Sequence, residues 1–253
     1  MASPIVSIIM PVYNSKKYIK KTLQLIKHQT FKNWKLIIVD DCSNDNSSDV
    51  IKKELKGFEE KYQIIKLNKN SGVSTARNTA LRHIDTKYIA YIDSDDIWNI
   101  KKLEKQIAFM EKNKYDFTYT YFSYYIENKK DKKTTYMPKQ LNYKQALKNT
   151  AILTSTVIIN IQKIDKKLLQ MPDVKLGQDS ATWWNVLKDG HTAHCLNEYL
   201  TKYTQNKMSL SNNKINSVKG TWKLYRKIEK LSLLKSLFLF ICYSINATLR
   251  RVI

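Results

Sequence analysis

Residues 88–96 read YIAYIDSDD, a short apolar run that ends in three carboxylates. The run is apolar throughout rather than at every second position, which is typical of a strand buried on both faces of a parallel sheet. Residues 5–14, IVSIIMPVYN, and residues 34–41, WKLIIVDD, have the same form. Each of the three stretches is therefore predicted to be a buried strand that carries polar groups at its carboxyl end.

Segments with helical spacing separate these strands. Apolar side chains recur every three or four residues from Tyr18 to Ile26, from Val50 to Phe58 and within 72–83, and residues 63–67 add a short strand. The order βαβαβαβ predicts an α/β fold, with a mostly parallel, Rossmann-like central sheet flanked by helices. Because such sheets bind ligands beyond the carboxyl ends of their strands, the polar loops are expected to converge at one edge.

The regular alternation of predicted strands and helices ends after residue 100. Residues 101–112 are predicted to be helical, the tyrosine-rich stretch 115–126 to form one or two strands, and residues 154–161 to form a further strand. This part is expected to complete the sheet and to add a further layer. From Gly220 onward, apolar residues lie on a helical stripe among lysines, which indicates a change of character near the carboxyl end.

The amino-acid composition limits the classes of protein to which the chain can belong. Of 253 residues, 43% are hydrophobic and 26% are charged, which is enough apolar material for a core and excludes a wholly disordered chain. The cysteines, Cys42, Cys195 and Cys242, are too far apart for a zinc motif or a disulfide framework, so a reducing compartment is expected. The first residues do not show the pattern of a secretion signal.

The net charge is unusual, because 44 Lys and Arg against 22 Asp and Glu leave +22. Such a field attracts nucleic acid, anionic lipid or phosphorylated substrates, and composition alone does not choose among them. The chain carries no sequence fingerprint of a nucleic-acid-binding module, so no nucleic-acid partner is expected. Most of the lysines are spread along the chain and are interpreted as solvated surface.

The acidic group Asp93, Asp95 and Asp96 needs an explanation in so basic a chain. Mutual repulsion destabilises such a cluster unless a cation or hydrogen-bond donors offset it, and hard oxygen ligands suit Mg²⁺ or Mn²⁺. The alternative is that Asp93 and Asp96 cap a helix that begins near Ile97. Since Mg²⁺ is commonly held by one or two carboxylates plus substrate phosphates, a metal-bridged diphosphate is predicted. The chain has neither a P-loop nor the glycine fingerprint of dinucleotide-binding folds.

Four blocks occur along the chain in this order: residues 8–14 (IIMPVYN), 39–43 (VDDCS), 71–78 (SGVSTARN) and 93–96 (DSDD). In order and spacing they resemble glycosyltransferase family 2. Later segments resemble the later blocks of members that assemble bacterial polysaccharides; they are residues 155–159, 178–187 and 203–214. The resemblance therefore covers most of the chain.

This resemblance implies a GT-A fold and an inverting transfer of a sugar from a nucleotide-diphosphate donor. A UDP-sugar is favoured because it is common among relatives, and dTDP- and GDP-sugars are the alternatives. The acceptor implied is a glycan or a lipid-linked saccharide in bacterial surface polysaccharide, lipopolysaccharide or capsule synthesis. Mn²⁺ or Mg²⁺ is implied at the DxD motif, where Asp95 matches the metal ligand and Asp93 lies toward the metal or the ribose. Asp179 matches the catalytic base. The positions implied to bind the nucleotide sugar are Pro11, Tyr13, Asn14, Asp40, Asp41, Arg77, Asp93 and Ser94.

Three tryptophans beside these motifs are candidates for stacking on the acceptor sugar: Trp98 follows the DxD motif, and Trp183 and Trp184 follow Asp179. Neighbouring residues of a helix point in different directions, so at least one of the last two is expected to lie in the core.

The sequence also departs from the family pattern. Gln178 stands where Glu is frequent, and Thr204 and Asn206 stand where Arg and His frequently contact the diphosphate. The candidates to compensate are Ser209, Ser211 and Lys214. Because of these departures, an inactive member that binds a nucleotide or a polyanion through its basic surface is the alternative hypothesis.

The resemblance and the change of character at Gly220 suggest two domains. Residues 1–218 are expected to form the GT-A domain, with a nucleotide-sugar-binding half (1–100) and an acceptor-side half (101–218), and residues 219–253 a basic amphipathic tail. The tail has eight Lys or Arg and one acid, and its apolar run is shorter than the roughly 20 residues of a membrane span.

Two interpretations of the tail stay open. It binds an anionic membrane surface, or it packs on the catalytic domain or on a second subunit of a homodimer. The expected location is cytoplasmic, peripheral on the inner face of the cytoplasmic membrane.

Overall fold

A computed structural model describes residues 5–126, 129, 131–134, 136–205 and 214–252, with the side chains of 214–217 and 248–252 left out. The first half alternates strands and helices as the sequence predicts. Its elements are β1 (Val6–Val12), α1 (Ile19–Lys27), β2 (Trp34–Asp40), α2 (Ser47–Glu54), β3 (Tyr62–Lys66), α3 (Val73–Leu81) and β4 (Tyr88–Tyr91).

The second half contains shorter strands and the helices that close the molecule. Its elements are β5 (Ile97–Trp98), α4 (Lys102–Asn113), β6 (Phe117–Tyr125), β7 (Lys132–Lys133), β8 (Gln140–Leu141), α5 (Tyr143–Lys148), β9 (Ile158–Asn160), α6 (Gln178–Lys188), β10 (Ala193–Thr204), α7 (Lys214–Lys223) and α8 (Leu233–Val252). A π-helical turn, Leu224–Ile228, follows α7. The boundary predicted between residues 218 and 219 lies inside α7.

The ten strands found among the described residues join one mixed sheet with the main order β3-β2-β1-β4-β9-β6-β10-β5. The strands β3, β2, β1 and β4 are parallel, as predicted. Beyond them β9 runs antiparallel to both β4 and β6, while β6 and β10 are parallel. The sheet is therefore less parallel than its first half suggests.

The reversal at β9 begins with a 3₁₀ turn, Thr154–Thr156, where the sequence predicts a strand. This turn lies beside the carboxyl end of β4, where the Asp93 amide donates to Ser155 Oγ at 3.0 Å. The chain thus enters the sheet from the polar edge and runs back against β4. The shortened strand places Ser155 at that edge instead of inside the sheet.

Apolar side chains of the central strands point to both faces of the sheet. On one face Ile8 and Met10 of β1 pack with Leu23 of α1, and on the other Ile9 packs with Ala76 of α3. All of these side chains are fully buried. Each of the Ile, Met and Leu side chains contributes about 1.5–3 kcal/mol relative to an exposed one, so packing on both faces stabilises the sheet that carries the polar edge.

Candidate active site

The loops that follow β1, β2 and β4 meet at the carboxyl edge of the sheet, as the sequence predicts. Asn14 N donates to Ser43 Oγ at 3.0 Å, and Ser15 Oγ lies 2.6 Å from Ser94 Oγ. Thr22 of α1 donates to the carbonyl of Ser94 at 3.0 Å. These bonds fix the three loops to one another and form a continuous polar rim.

Two buried carboxylates shape this rim. Asp40 accepts from Ser43 N at 2.9 Å and from Ser48 Oγ at 2.7 Å, so it holds the turn after β2. Asp41 accepts from the backbone amides of residues 71 and 72, each at 2.7 Å, which ties that turn to the start of α3. Both carboxylates therefore position the loops that surround the edge.

The other residues predicted to bind the nucleotide sugar along β1 differ in accessibility. Pro11 is buried inside β1 opposite Val39, so it shapes the strand. The side chain of Tyr13 is 48% exposed at the rim. Asn14 Oδ1 accepts from Asn44 N at 2.9 Å. Tyr13 and Asn14 are thus the exposed residues of this block.

Arg77 of α3 is buried beneath the rim, where its guanidinium pairs with Asp93. Its Nη1 lies 3.6 Å from Met171 Sδ, and within the described part of the chain its Nε has no hydrogen-bond partner. Burial lowers the Arg77 pKa, but the charges of Asp93 and then Asp179 outweigh that effect and raise it. One buried cation therefore lies within the electrostatic reach of both predicted functional acids.

The acidic motif does not cap a helix, because residues 97–98 form β5 and α4 begins only at Lys102. Asp96 is fully buried and accepts from Thr204 N at 2.9 Å, and its second oxygen has no partner among the described residues. Burial, followed by the charges of Asp95 and Asp93, raises the Asp96 pKa well above its usual value. The carboxylates of Asp93, Asp95 and Asp96 therefore repel one another, as the sequence predicts.

A divalent cation fits this motif by the chemistry of its donors. No cluster of three or more His, Cys, Asp or Glu suited to a metal ion occurs within the described ranges. Mg²⁺ and Mn²⁺ need only one or two carboxylates when substrate phosphates complete the shell. Asp95 and Asp93 offer two such carboxylates, and a cation beside them would relieve the repulsion on Asp96.

Asp179 lies near the start of α6 and lines a cavity of about 270 Å³. Its Oδ2 accepts from Thr154 Oγ1 at 3.0 Å, and its Oδ1 accepts from Ser180 N at 2.7 Å. The walls of the cavity come from the end of β6, the segment 150–153 and the carboxyl-terminal helices. The carboxylate is thus oriented by two donors and faces a space that a ligand can enter.

Gly177 sets the start of α6 and with it the position of Asp179. Its φ is +79°, in the left-handed region that favours glycine, and an added Cβ would lie 2.6 Å from Leu224 Cδ1. Leu224 belongs to the π-helical turn after α7 and is buried. The carboxyl-terminal segment therefore packs directly against Gly177, the residue that precedes α6.

The three tryptophans predicted to contact the acceptor are each only 1% exposed and lie in the core. Trp98 donates to the Ser155 carbonyl at 2.7 Å. Trp183 packs edge-on against Tyr91, and Trp184 stacks on Tyr225. The three rings therefore pack inside the core beneath the site, and none is exposed to stack on an acceptor sugar.

A second, smaller cavity of about 150 Å³ adjoins the acidic motif on the side of Thr204. Lys17 and Lys21 of the segment around α1 line it together with Asp95. Lys21 Nζ lies 3.2 Å from the hydroxyl of Tyr125. Nothing in the spacing of these two lysines along the sequence distinguishes them from the solvated lysines elsewhere, so the sequence does not predict that they line a cavity.

The block around Thr204 is described only in part. The Thr204 hydroxyl donates to the carbonyl of Asp95, so this residue braces the acidic motif. Asn206, Ser209 and Ser211 lie outside the described residues, and so does the side chain of Lys214.

Comparison with known proteins identifies the family of this chain. The model of the family described as Glycosyl transferase family 2 matches residues 7–169. The chain therefore belongs to glycosyltransferase family 2, and it is an enzyme of glycosyl transfer. The match includes the three rim loops and the DxD motif and ends before Asp179.

Two relatives span nearly the same length. A Bacillus subtilis protein that bears the name of a teichuronic acid biosynthesis glycosyltransferase, TuaG, is 39% identical over 250 residues, covering 98% of each chain. WfgD of Escherichia coli, named UDP-Glc:alpha-D-GlcNAc-diphosphoundecaprenol beta-1,3-glucosyltransferase, is 33% identical over 222 residues, 86% of this chain and 84% of WfgD.

Solved structures show the same GT-A fold. Residues 1–349 of Staphylococcus aureus TarS in complex with UDP-GlcNAc superpose with a TM-score of 0.74 at 19% identity, covering 94% of this chain and 71% of TarS. The mannosyltransferase PcManGT from Pyrobaculum calidifontis, in complex with GDP-Man and Mn²⁺, gives a TM-score of 0.72 at 15% identity, covering 98% and 74%.

Proposed function

We propose that this protein is an inverting, metal-dependent glycosyltransferase that moves a sugar from a UDP-sugar to a lipid-linked saccharide in surface polysaccharide synthesis. The observation that carries the proposal is the position of Arg77. Arg77 pairs with Asp93 of the DxD motif, and although burial lowers the Arg77 pKa, the charges of Asp93 and Asp179 raise it above its usual value. The buried Arg77 guanidinium therefore interacts electrostatically with both Asp93, on the donor side, and Asp179, on the acceptor side.

In the proposed reaction the acceptor hydroxyl oxygen attacks the anomeric carbon, and the bond from that carbon to the diphosphate oxygen breaks. The hydroxyl proton passes to the Asp179 carboxylate, and the nucleoside diphosphate leaves with the bonding electron pair. Thr154 Oγ1 and Ser180 N hold the carboxylate from two sides, so its orientation is set before the acceptor binds. Such general base catalysis typically accelerates a reaction about 100-fold to 10,000-fold.

Asp95, with Asp93 beside it, would hold the Mn²⁺ or Mg²⁺. When bound, the cation stabilises the negative charge that develops on the departing diphosphate. The Mn²⁺ in the PcManGT complex, which has the same fold, supports this assignment. The protein itself keeps the two carboxylates in place. Arg77 pairs with Asp93, and the Asp93 backbone amide donates a hydrogen bond to Ser155 Oγ. Thr204 donates from its hydroxyl to the Asp95 carbonyl and from its backbone amide to the Asp96 carboxylate.

The names of two relatives support the proposed substrate classes. WfgD is named for UDP-Glc and for a saccharide joined by a diphosphate to undecaprenol, and TuaG for teichuronic acid synthesis. We therefore assign a UDP-sugar donor and a polyprenyl-diphosphate saccharide acceptor to this chain. The GDP-Man in PcManGT makes the base of the nucleotide the first thing to test.

Calorimetry with UDP-, dTDP- and GDP-sugars, each with Mn²⁺, with Mg²⁺ or with a chelator, tests the proposal. We expect a UDP-sugar to bind only with the metal, and the metal-dependent donor to be transferred to a polyprenyl-diphosphate saccharide with inverted configuration. Metal-independent binding of polyanions that weakens steeply with salt, without transfer, would instead support the inactive polyanion-binding alternative.

Lys17 and Lys21 are proposed to supply the positive charge that Arg and His provide in other members near Thr204. Both line the cavity beside Asp95. Replacing both with glutamine is expected to weaken donor binding about threefold to tenfold at low salt, since an exposed ion pair is worth up to about 1 kcal/mol. The loss should shrink at high salt, because screening already weakens exposed pairs.

The matched control replaces Lys52 and Lys53, two exposed lysines of α2, with glutamine. It removes the same charge away from the cavity. An equal loss of donor affinity in this control would show that only the net charge matters, and an unchanged affinity in the cavity variant would remove both lysines from the site.

A further inference from the structure

The helix α8 has two different faces. Ser236 and Leu239 are buried against the domain, and Tyr243 lines the cavity of Asp179. The opposite face carries large apolar side chains that are 45–80% exposed, namely Leu234, Leu237, Phe238, Ile241 and Ile245. Their spacing of three or four residues places them in one stripe along the helix, which we call the α8 stripe.

The buried face of α8 and the turn before it are held firmly on the domain. Tyr225 is fully buried, and its hydroxyl donates to the carbonyl of Leu147 in α5 at 2.5 Å. Asn246 Nδ2 donates to the carbonyl of Lys148 at 3.1 Å. Because α8 is anchored along this face, the α8 stripe is presented outward in a fixed orientation.

The charges around the α8 stripe favour an anionic membrane surface. Residues 219–253 contain eight Lys or Arg and one acid, and Arg226, Lys227, Lys230 and Lys235 are exposed beside or on α8. Among the described residues, no helix is long and apolar enough to cross a membrane. A helix with an apolar face and flanking cations binds in the plane of an anionic interface. Two such faces brought together would also bring together their like charges.

The same helix forms part of the wall around the catalytic base. Tyr243 and Ala247 line the cavity of about 270 Å³ that contains Asp179, and Leu224 packs on Gly177 at the start of α6. An acceptor carried on a membrane lipid would therefore reach this cavity beside the face of α8 that touches the lipid.

We infer that the α8 stripe seats the enzyme on an anionic membrane surface, with α8 itself as the wall between the lipid and the acceptor cavity, so that a lipid-linked acceptor enters from the membrane plane. This inference rests on the proposed function for the nature of the acceptor. The contact with the membrane rests on α8 alone and can be measured without the reaction.

The test is a liposome flotation assay on the full chain, with vesicles of phosphatidylcholine alone or with added phosphatidylglycerol. The variant replaces Phe238 and Ile241 with glutamate, and a second variant does so at Leu234 and Ile245. Each variant withdraws two apolar side chains from the interface, so partitioning to anionic vesicles should fall at least tenfold. Transfer to a polyprenyl-linked acceptor in vesicles should fall with it, while transfer to a short-chain, water-soluble acceptor should not.

The control replaces Asn113 and Gln162, both exposed and remote from α8, with glutamate and so adds the same charge. It should float like the parent protein. Equal flotation of the stripe variants and the parent would overturn the inference, and so would a parent that forms dimers in sedimentation and does not float, because the stripe would then cover a second copy. Flotation without transfer to any acceptor would leave the membrane contact standing and refute the proposed function.

Discussion

Replacing Asp179 with asparagine is expected to lower the rate of sugar transfer by about 100-fold to 10,000-fold, the range typical of a lost general base. The side chains have nearly the same shape, so the amide oxygen of asparagine can still accept a bond from Thr154 Oγ1 or Ser180 N. What the variant loses is a group that can take the proton of the acceptor hydroxyl. The loss should therefore fall on the chemical step measured under single-turnover conditions.

Donor binding by the Asp179→Asn variant should change little, because Asp179 lies on the acceptor cavity and the donor is assigned to the rim and the DxD motif. Calorimetry with the metal and the donor checks this point. The matched control is Asp189→Asn, since Asp189 follows the same helix and its side chain is 56% exposed. Transfer by Asp179→Asn at the parental rate would remove this residue from the role of base.

The parallel half of the fold could be predicted because its strands are apolar throughout and end in polar residues. Strands of this kind that alternate with helices form a parallel sheet, and the carboxyl ends of parallel strands lie at the same edge, so the ends of β1, β2 and β4 meet there. The polar groups at those ends, among them Asp40 and Asp93, lie at this edge as the sequence predicts. The motif blocks fall on these same loops, which is why the family could be recognised from them.

The other half depends on contacts between residues far apart in the sequence. The strand predicted for 154–161 is shortened because Ser155 bonds to the Asp93 amide, and nothing in the local sequence signals that partner. Lys102 is a different case, because the two partners of its ammonium group lie only four residues away along the chain. It is fully buried, donates to Gln106 at 2.7 Å, and its ammonium lies 4.3 Å from the centre of the Trp98 ring. Nothing in the sequence around Lys102 distinguishes it from the exposed lysines of this basic chain.

The tail shows why its two interpretations could not be separated by sequence alone. A helix that packs on the domain and a helix that lies on a membrane both need an apolar stripe. In α8 both kinds of residue are present on opposite faces, Leu239 toward the domain and Ile241 toward the outside. The periodicity reveals the apolar residues, but only the fold shows which of them are already covered.

The Asp95→Asn substitution is expected to remove the effect of Mn²⁺ or Mg²⁺ on donor binding and to lower transfer about 100-fold or more. Stabilisation of the leaving diphosphate by a metal is worth several kcal/mol, and each 1.36 kcal/mol is a factor of ten in rate. In calorimetry the variant should bind the nucleotide sugar equally weakly with the metal and with a chelator. The control is Asp85→Asn, which removes one exposed carboxylate outside the motif.

Thermal unfolding without metal separates this assignment from simple damage to the fold. Burial, and then the charges of Asp95 and Asp93, raise the Asp96 pKa, so Asp95 contributes repulsion to a buried neighbour. Asp95→Asn should therefore be at least as stable as the parent protein in a chelator, and the metal should raise the melting temperature of the parent alone. A variant that is less stable without metal, or that still responds to it, would show that Asp95 braces the rim rather than holding the cation.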